Sequence, residues 1–283
     1  MHVVLGSHRF DITHRALVMG ILNRTPDSFY DAGNYWDFDA FLAKADELVN
    51  DGADFLDVGG VKAGPGDEVT LDEELARVVP AVEALRARFE VPLSVDTWSA
   101  EVLSEALAAG ADIGNDISGF ADPDYLSVAA AAQASVVATH IRLAPRVADP
   151  DPEYDNLRAD VVSFLADRAR RAVEAGIPAE KVIVDAGLDL GKTPAMSLEL
   201  LHHSDDLVAL GHPVLLSASN KRFLFELLNA SRYEIDSGTD AAHTLGVMLG
   251  CRILRTHNVR SARRLVDVLA ELLAARCTPF TGR

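Results

Sequence analysis

The residues best suited to chemistry follow the short apolar runs of this sequence, at the point where each run ends. Nearly every run finishes in a polar or ionisable residue: Asn23, Asp57, Asp96, Asn115 with Asp116, His140, Asp185, Ser219 with Lys221, and Arg255 with His257. A single residue of this kind can be no more than the cap of a following helix. Eight such ends together instead predict the rim of an active site, where a few placed polar groups orient a small substrate.

The apolar runs that carry these residues have the pattern of buried strands separated by amphipathic helices. We predict strands at 16–23, 55–60, 92–97, 112–118, 135–140, 181–187, 213–219 and 252–258, and helices in segments such as 70–88, 99–109, 156–175 and 260–275. Nearly continuous hydrophobic strands are typical of parallel sheets that are covered on both faces. Eight strands, each followed by a helix, predict an α/β fold of the (β/α)8 TIM-barrel type, in which catalytic residues lie at the carboxyl ends of the strands.

The opening segment VVLGSHRFDI predicts a short N-terminal β-hairpin that turns at Gly6–Ser7 and plugs the bottom of the barrel. A doubly wound sheet is the weaker interpretation, because GILNRTPDSF after the first strand lacks the glycine fingerprint of that fold. Since the sequence shows no linker or low-complexity segment, we expect residues 1–283 to form a single domain.

Composition narrows the classes of function. A formal net charge of −17 argues against a nucleic-acid partner, although a few local cations can still bind a phosphorylated metabolite. The two cysteines are too few for a disulfide framework or a zinc site. Polar residues interrupt the first ten positions, and no apolar run is long enough to span a membrane. We therefore expect a cytoplasmic protein without a membrane partner.

Seven short motifs, in chain order, are MGILNRTPDSF, DVGG, SVDTW, NDISG, DAGLDLGKT, SASNK and RTHNV. In this order and at barrel spacing, they resemble the motifs of the dihydropteroate synthase family, and the resemblance extends over almost the whole chain. It implies a TIM-barrel enzyme of folate biosynthesis. Such enzymes condense 6-hydroxymethyl-7,8-dihydropterin diphosphate with p-aminobenzoate, an aromatic amine, and release diphosphate.

The resemblance assigns the pterin site to the strand ends. Asp96, Asn115 and Asp185 stand where the family recognises the pterin edge, whose amino and N–H groups suit carboxylates and amides. Lys221 is expected against the ring, with Ser219 in the same substrate site. Asp96, Asp185 and Lys221 are the implied catalytic residues, acting by positioning and electrostatics. Helix caps or salt bridges inside the barrel mouth are the alternative for the carboxylates. A solvated lysine at a helix start is the alternative for Lys221, which the helix dipole disfavours.

At the diphosphate end the resemblance implies cations and a metal. Arg255 and His257, two residues apart on the last strand, are expected on the same side, where they would hold the leaving group. Asn23 is expected to help bind Mg²⁺, the implied cofactor, which prefers oxygen ligands. The alternative for Arg255 is an ion pair with a carboxylate of this acidic chain. For His140, a functional role and a plain hydrogen bond into the barrel mouth both stay open.

The loop after DVGG departs from the family, which usually carries Glu-Ser-Thr-Arg-Pro-Gly there. Residues 61–66 are Val-Lys-Ala-Gly-Pro-Gly, so Gly64 replaces the arginine that grips the diphosphate. Lys62 and Arg24, the latter in place of a family valine, are expected to supply the missing charge. Because a glycine-rich loop has no packing of its own, we expect it to be disordered until a ligand binds.

Three functions remain open on the sequence. The first is a working dihydropteroate synthase. The second is an inactive or repurposed paralogue that binds a pterin diphosphate but not p-aminobenzoate. The third is a pterin-dependent methyltransferase on the same barrel, which would need neither Lys221 nor the Arg255–His257 pair. A metal-dependent hydrolase is disfavoured, because no His-x-His follows the first strand. The resemblance also implies a homodimer through 240–250 and 260–275.

Overall fold

The structure is a computed structural model that describes residues 1–24, 38–229 and 234–276. Its strands are β1 (His2–Leu5), β2 (His8–Asp11), β3 (Leu17–Asn23), β4 (Phe55–Gly59), β5 (Leu93–Asp96), β6 (Ile113–Asp116), β7 (Ser135–Thr139), β8 (Val182–Asp185), β9 (Val214–Leu216) and β10 (Ile253–Thr256). Strands β3 to β10 are parallel and form a closed barrel, in which β10 pairs with β3. The predicted TIM barrel is therefore confirmed.

Helices connect the barrel strands. They are α1 (Phe38–Asn50), α2 (Leu71–Arg86), α3 (Ala100–Ala108), α4 (Tyr125–Ala131), α5 (Leu157–Glu174), α6 (Pro194–His202), α7 (Ser204–Val208), α8 (Arg222–Leu228), α9 (Ile235–Leu249) and α10 (Val259–Arg276). Several begin at the capping residues that their sequences offer: Thr70 and Glu73 form a capping box at α2, and Ser99 caps α3. Among the described residues, no helix is both long and apolar enough to cross a membrane.

The barrel interior begins with an apolar layer. Strand residues such as Met19, Phe55 and Ile253 form a cluster separate from the larger core under the helices. This separation follows from strand geometry, since successive side chains point to opposite faces. Val3 and Leu5 of the hairpin β1–β2 join the interior cluster and are fully buried. The predicted hairpin therefore closes the amino-terminal end of the barrel.

Seven of the eight barrel strands end earlier than predicted, and at two of these ends a side chain turns the backbone. Asp116 ends β6: its carboxylate accepts hydrogen bonds from the backbone N–H groups of Ser118 at 2.6 Å and Phe120 at 2.8 Å. Thr256 ends β10, where its hydroxyl accepts from the Asn258 N–H at 3.2 Å. Strand β9 ends at Leu216, three residues before the predicted boundary. The residues expected at these strand ends therefore lie in tight turns.

A buried histidine on α9 makes the stability of the fold depend on pH. His243 is fully buried, and neither ring nitrogen has a hydrogen-bond partner among the described residues. Burial lowers its pKa from 6.5 to about 4. Because the folded pKa is depressed, the stabilisation is complete above pH 6.5 and is lost as the pH falls towards 4.

We expect the native protein to lose about 2 kcal/mol of unfolding free energy through His243 between pH 7 and pH 5. His243→Leu should lack this part of the loss. Urea denaturation of both proteins at the two pH values measures it. Identical pH dependence in both would show that His243 is not the titrating group.

Candidate active site at the barrel mouth

A polar layer covers the apolar layer on the carboxyl side of the barrel. It occupies inward-facing strand positions one pleat beyond the apolar residues. We define the polar layer as Asp57, Ser94, Asp96, Asn115, Thr139, Asp185, Ser217 and Arg255. Most of these side chains are buried. The sequence prediction that Asp96, Asn115, Asp185 and Arg255 converge on one face is consistent with this arrangement.

Arg255 binds two carboxylates at the centre of this layer. Its Nε lies 2.7 Å from Asp57 Oδ2 and its Nη2 lies 2.9 Å from Asp96 Oδ2. Asp57 also accepts hydrogen bonds from Ser94 Oγ at 2.6 Å and from Asn115 Nδ2 at 3.2 Å. Arg255 thus has the carboxylate-pairing role that the sequence left as an alternative. Its role at the leaving group stays a prediction.

Burial shifts the pKa values of two acidic residues in the polar layer. Burial raises the pKa of Asp96 to about 7, against the opposing effect of the Arg255 charge. Burial also raises the pKa of Asp185, although the Gly187 N–H, 2.8 Å from its Oδ1, opposes the shift. Asp96 can therefore hold or release a proton near neutral pH.

Lys221 lies at the start of α8 and is half-buried. Its Nζ donates to the carbonyl oxygen of Leu188 at 3.1 Å. Burial lowers its pKa, while the charges of Asp189 and Asp185 oppose that shift. This lysine is tied to the loop after β8 and lies within the electrostatic reach of the polar layer, so it does not match the alternative of a solvated lysine.

Ser219 and His257 form a separate pair just beyond the strand ends. Ser219 Oγ lies 2.9 Å from His257 Nδ1, and the His257 backbone N–H donates to the same oxygen at 3.1 Å. Ser219 is buried and His257 is exposed. The fold therefore places a solvent-accessible imidazole beside the turn that leads to Lys221.

Arg24 contacts helix α2 and not the polar layer. Its Nη1 donates to the backbone carbonyl of Arg77 at 2.6 Å, and its guanidinium lies 4.8 Å from the centre of the Phe38 ring. The predicted role for Arg24 in diphosphate binding thus requires its release from these contacts. The rest of the first-loop motif, residues 25–29, lies outside the described residues.

Asn23 lies at the mouth because Gly59 leaves room beside it. A Cβ at Gly59 would lie 3.0 Å from Asn23 Oδ1 and 3.6 Å from the Cβ of Asp96. Because it has no side chain, Gly59 leaves space beside both of these residues. Within residues 1–24, 38–229 and 234–276, no cluster of three or more histidine, cysteine or acidic side chains could hold a metal ion.

The loop at 61–66 has contacts that the sequence did not predict. Lys62 is exposed, and a Cβ at Gly64 would meet nothing within 4 Å. Arg146 nevertheless hydrogen-bonds to the carbonyl oxygens of Lys62, Ala63 and Asp67. A distant arginine therefore supplies contacts to this loop that the sequence did not indicate. Its disorder without ligand stays a prediction.

His140 binds a lysine that sequence reasoning missed. Its Nδ1 lies 2.9 Å from Lys192 Nζ, which also donates to the carbonyl oxygens of Gly187 at 2.9 Å and Leu190 at 3.0 Å. Burial lowers the pKa of Lys192 to about 7 and the pKa of His140 to about 3. His140 thus has a plain hydrogen bond, with Lys192 bracing the loop after β8. The only signal in the sequence was a lysine directly after the apolar turn GLDLG.

Comparison with known proteins shows which family the chain resembles. The model of a family described as pterin binding enzyme matches residues 19–257. The chain is 44% identical over 275 residues to "Inactive dihydropteroate synthase 2" of Mycobacterium leprae, covering 95% of this chain and 94% of that protein. It is 40% identical over 261 residues to the dihydropteroate synthase of Bacillus subtilis, covering 92% and 89%.

A solved structure also resembles the chain over almost its whole length. The dihydropteroate synthase of Xanthomonas albilineans with 4-aminobenzoic acid superposes with a TM-score of 0.88 at 36% sequence identity. The match covers 98% of this chain and 99% of that one.

Proposed function

Since this chain belongs to the family of pterin-binding enzymes, we propose that it is a dihydropteroate synthase-type transferase. The proposed reaction condenses 6-hydroxymethyl-7,8-dihydropterin diphosphate with p-aminobenzoate and releases diphosphate. The observation that carries the proposal is the polar layer, in which two carboxylates and an amide face the barrel mouth at a fixed depth.

The polar layer suits a flat heterocycle with a donor-rich edge. A pterin presents an amino group and an N–H that Asp185 and Asp96 can accept, and ring atoms that Asn115 can bind. Because these side chains are already oriented by Arg255 and by the Gly187 N–H, little reorganisation is needed when the ring binds. A buried hydrogen-bonding group that loses its partner is costly, which makes such a site selective.

The substitution step takes place at the methylene carbon of the pterin. The carbon–oxygen bond to diphosphate breaks with its electron pair leaving on oxygen, and the amine nitrogen then bonds to the carbon and releases a proton. Lys221 is the proposed contact of the ring, and His257 and Arg255 are the proposed contacts of the departing diphosphate. The protein contributes orientation and electrostatic stabilisation, with no covalent intermediate.

Magnesium is the proposed cofactor, and the residues present fit it. Asn23 offers an amide oxygen that approaches the Asp96 side across Gly59. Mg²⁺ is usually held by one or two protein oxygens together with substrate phosphates and water, so a larger cluster is not needed. When bound, the ion would neutralise charge on the diphosphate. Asn23 is the residue proposed to hold it.

A specific observation favours one second candidate, a paralogue that binds the pterin diphosphate without condensing p-aminobenzoate. The loop at 61–66 has lost the family arginine, and Arg24 is bound to Arg77 and Phe38. The polar layer is unaffected by these changes. This candidate therefore keeps pterin binding and loses p-aminobenzoate condensation.

The proposed function predicts that dihydropteroate forms only when both substrates are present. Chromatography should detect dihydropteroate together with released diphosphate. Lys221→Met should lower kcat by at least about a hundredfold, since it removes a charge that acts on the reacting ring. The Bacillus subtilis relative is the positive control. Diphosphate release without dihydropteroate would mean that p-aminobenzoate is not the acceptor. The absence of both products would reject transferase activity, and it would favour the paralogue if the pterin diphosphate still binds.

We further propose a cytoplasmic homodimer that assembles through α9 and α10. These helices contact each other and expose large apolar side chains, Leu245 and Met248 on α9 and Val268 and Leu272 on α10. Exposed apolar residues on adjacent helices favour an interface. Sedimentation equilibrium should give twice the chain mass, and a monomer mass at micromolar concentration would reject the dimer.

A further inference from the structure

One arginine joins two loops that are far apart in the sequence. Arg146, in the segment between β7 and α5, donates from its backbone N–H to the Ala63 carbonyl at 3.0 Å. Its Nη1 donates to the Lys62 carbonyl at 3.1 Å and its Nη2 donates to the Asp67 carbonyl. A single residue thus binds the backbone of the 61–67 loop at three points.

Most of the 61–67 loop is exposed beyond its first residue. Val61 is buried, but Lys62 and residues 64–67 are exposed. A Cβ at Gly64 would meet no atom within 4 Å, and one at Gly66 would meet only the guanidinium of Arg146. Glycine also raises the entropy of the unbound loop, so the external contacts have a large effect on its order.

The segment that carries Arg146 is itself anchored. Arg142 forms a two-pronged ion pair with Asp149, with both N–O distances at 2.5 Å, and the Asp149 side chain is nearly buried. Tyr154 donates to the Gly191 carbonyl at 2.8 Å. Arg146 adopts a φ of +66°, a left-handed conformation that non-glycine residues rarely hold without a compensating contact. The anchored segment and the contacts of Arg146 with the loop together fix its position.

The 61–67 loop leads directly from the barrel mouth. It follows Gly59 and Gly60 at the end of β4, beside Asn23 and Asp96. We propose that Arg146 is a positioning residue that holds the 61–67 loop in its working conformation at the mouth, in place of packing by the loop's own side chains. This inference rests on the proposed function for its catalytic consequence. Its structural consequence can be tested alone.

Arg146→Gly is the informative variant, because glycine keeps the left-handed backbone without strain and removes the whole side chain, guanidinium included. The backbone 15N order parameters of residues 62–68, Pro65 excepted, should fall below about 0.6, while those of the barrel strands stay at about 0.85. Arg146→Lys should lower the order parameters to an intermediate degree, since one ammonium cannot span Lys62 and Asp67 as a guanidinium does. Added propylguanidinium, which matches the side chain that glycine lacks, should partly restore the order parameters in Arg146→Gly.

A matched control and a kinetic readout complete the test. Arg158→Ala removes a comparable arginine, paired with Asp206 away from the loop, and should leave the order parameters at 62–68 unchanged. In a protein that turns over, Arg146→Gly should lower kcat/KM for p-aminobenzoate at least tenfold, while calorimetric pterin affinity changes less than threefold. Unchanged order parameters at 62–68 in Arg146→Gly overturn the proposal whether or not the chain is an active transferase. Equal losses of pterin affinity and kcat/KM would overturn its catalytic part.

Discussion

Arg255→Ala should lower the free energy of unfolding by about 3–5 kcal/mol, because it leaves two buried carboxylates without their cation. Asp57 is fully buried and the Asp96 side chain is 15% exposed, and the repulsion between them would no longer be offset. Urea denaturation at pH 7.5 measures the loss. Arg260→Ala is the matched control, since its guanidinium is exposed and its ion pair with Asp51 should contribute less than about 1 kcal/mol.

Similar losses for Arg255→Ala and Arg260→Ala would contradict the central position of Arg255. Calorimetry then separates its two proposed roles. The loss of affinity for 6-hydroxymethyl-7,8-dihydropterin reports on disruption of the polar layer. Any additional loss of affinity for the diphosphate ester reports on a contact between Arg255 and the diphosphate group.

Asp185→Asn should weaken pterin binding by about 2–4 kcal/mol, which is roughly 30-fold to 1,000-fold in affinity. The substitution keeps the shape of the side chain but replaces an acceptor oxygen with a donor, so it opposes an N–H of the ligand. Because the Gly187 N–H can still bind the remaining oxygen, the fold should survive. Isothermal titration calorimetry measures the affinity.

Asp116→Asn is the control for this experiment. Asp116 is as buried as Asp185, but its carboxylate points into the turn after β6 and accepts from Ser118 and Phe120. It should cost stability and leave pterin affinity within about threefold. Equal effects of the two substitutions on affinity would mean that burial, and not position in the polar layer, determines the loss.

Strand periodicity explains why so much of this site was predictable. Continuous apolar runs marked the barrel strands, and the first polar residue after each run marked the mouth. Asp96, Asn115 and Asp185 all lie within one residue of a strand end, because local alternation alone places them there. The plug hairpin was predictable because the apolar run 3–5 leads directly into a glycine turn.

The pairing partners were not predictable, because they depend on contacts between distant segments. Nothing local joins Arg255 to Asp57, 198 residues away, or Arg146 to Lys62, 84 residues away. Arg24 was expected to reach a ligand, yet the Arg77 carbonyl and the Phe38 ring satisfy it first. The role of Lys192 was not predicted, because a buried lysine that bonds to a histidine on another strand leaves no pattern in a single sequence.

The most direct test of the pterin site is a calorimetric titration of the native protein with 6-hydroxymethyl-7,8-dihydropterin diphosphate and Mg²⁺. We expect one ligand per chain with a Kd of about micromolar, or roughly −8 kcal/mol, whether or not p-aminobenzoate is condensed afterwards. Binding should fall by at least 30-fold in Asp185→Asn and stay within threefold in Asp116→Asn. No saturable binding to the native protein, or equal binding to all three proteins, would contradict the assignment of the polar layer as a pterin site.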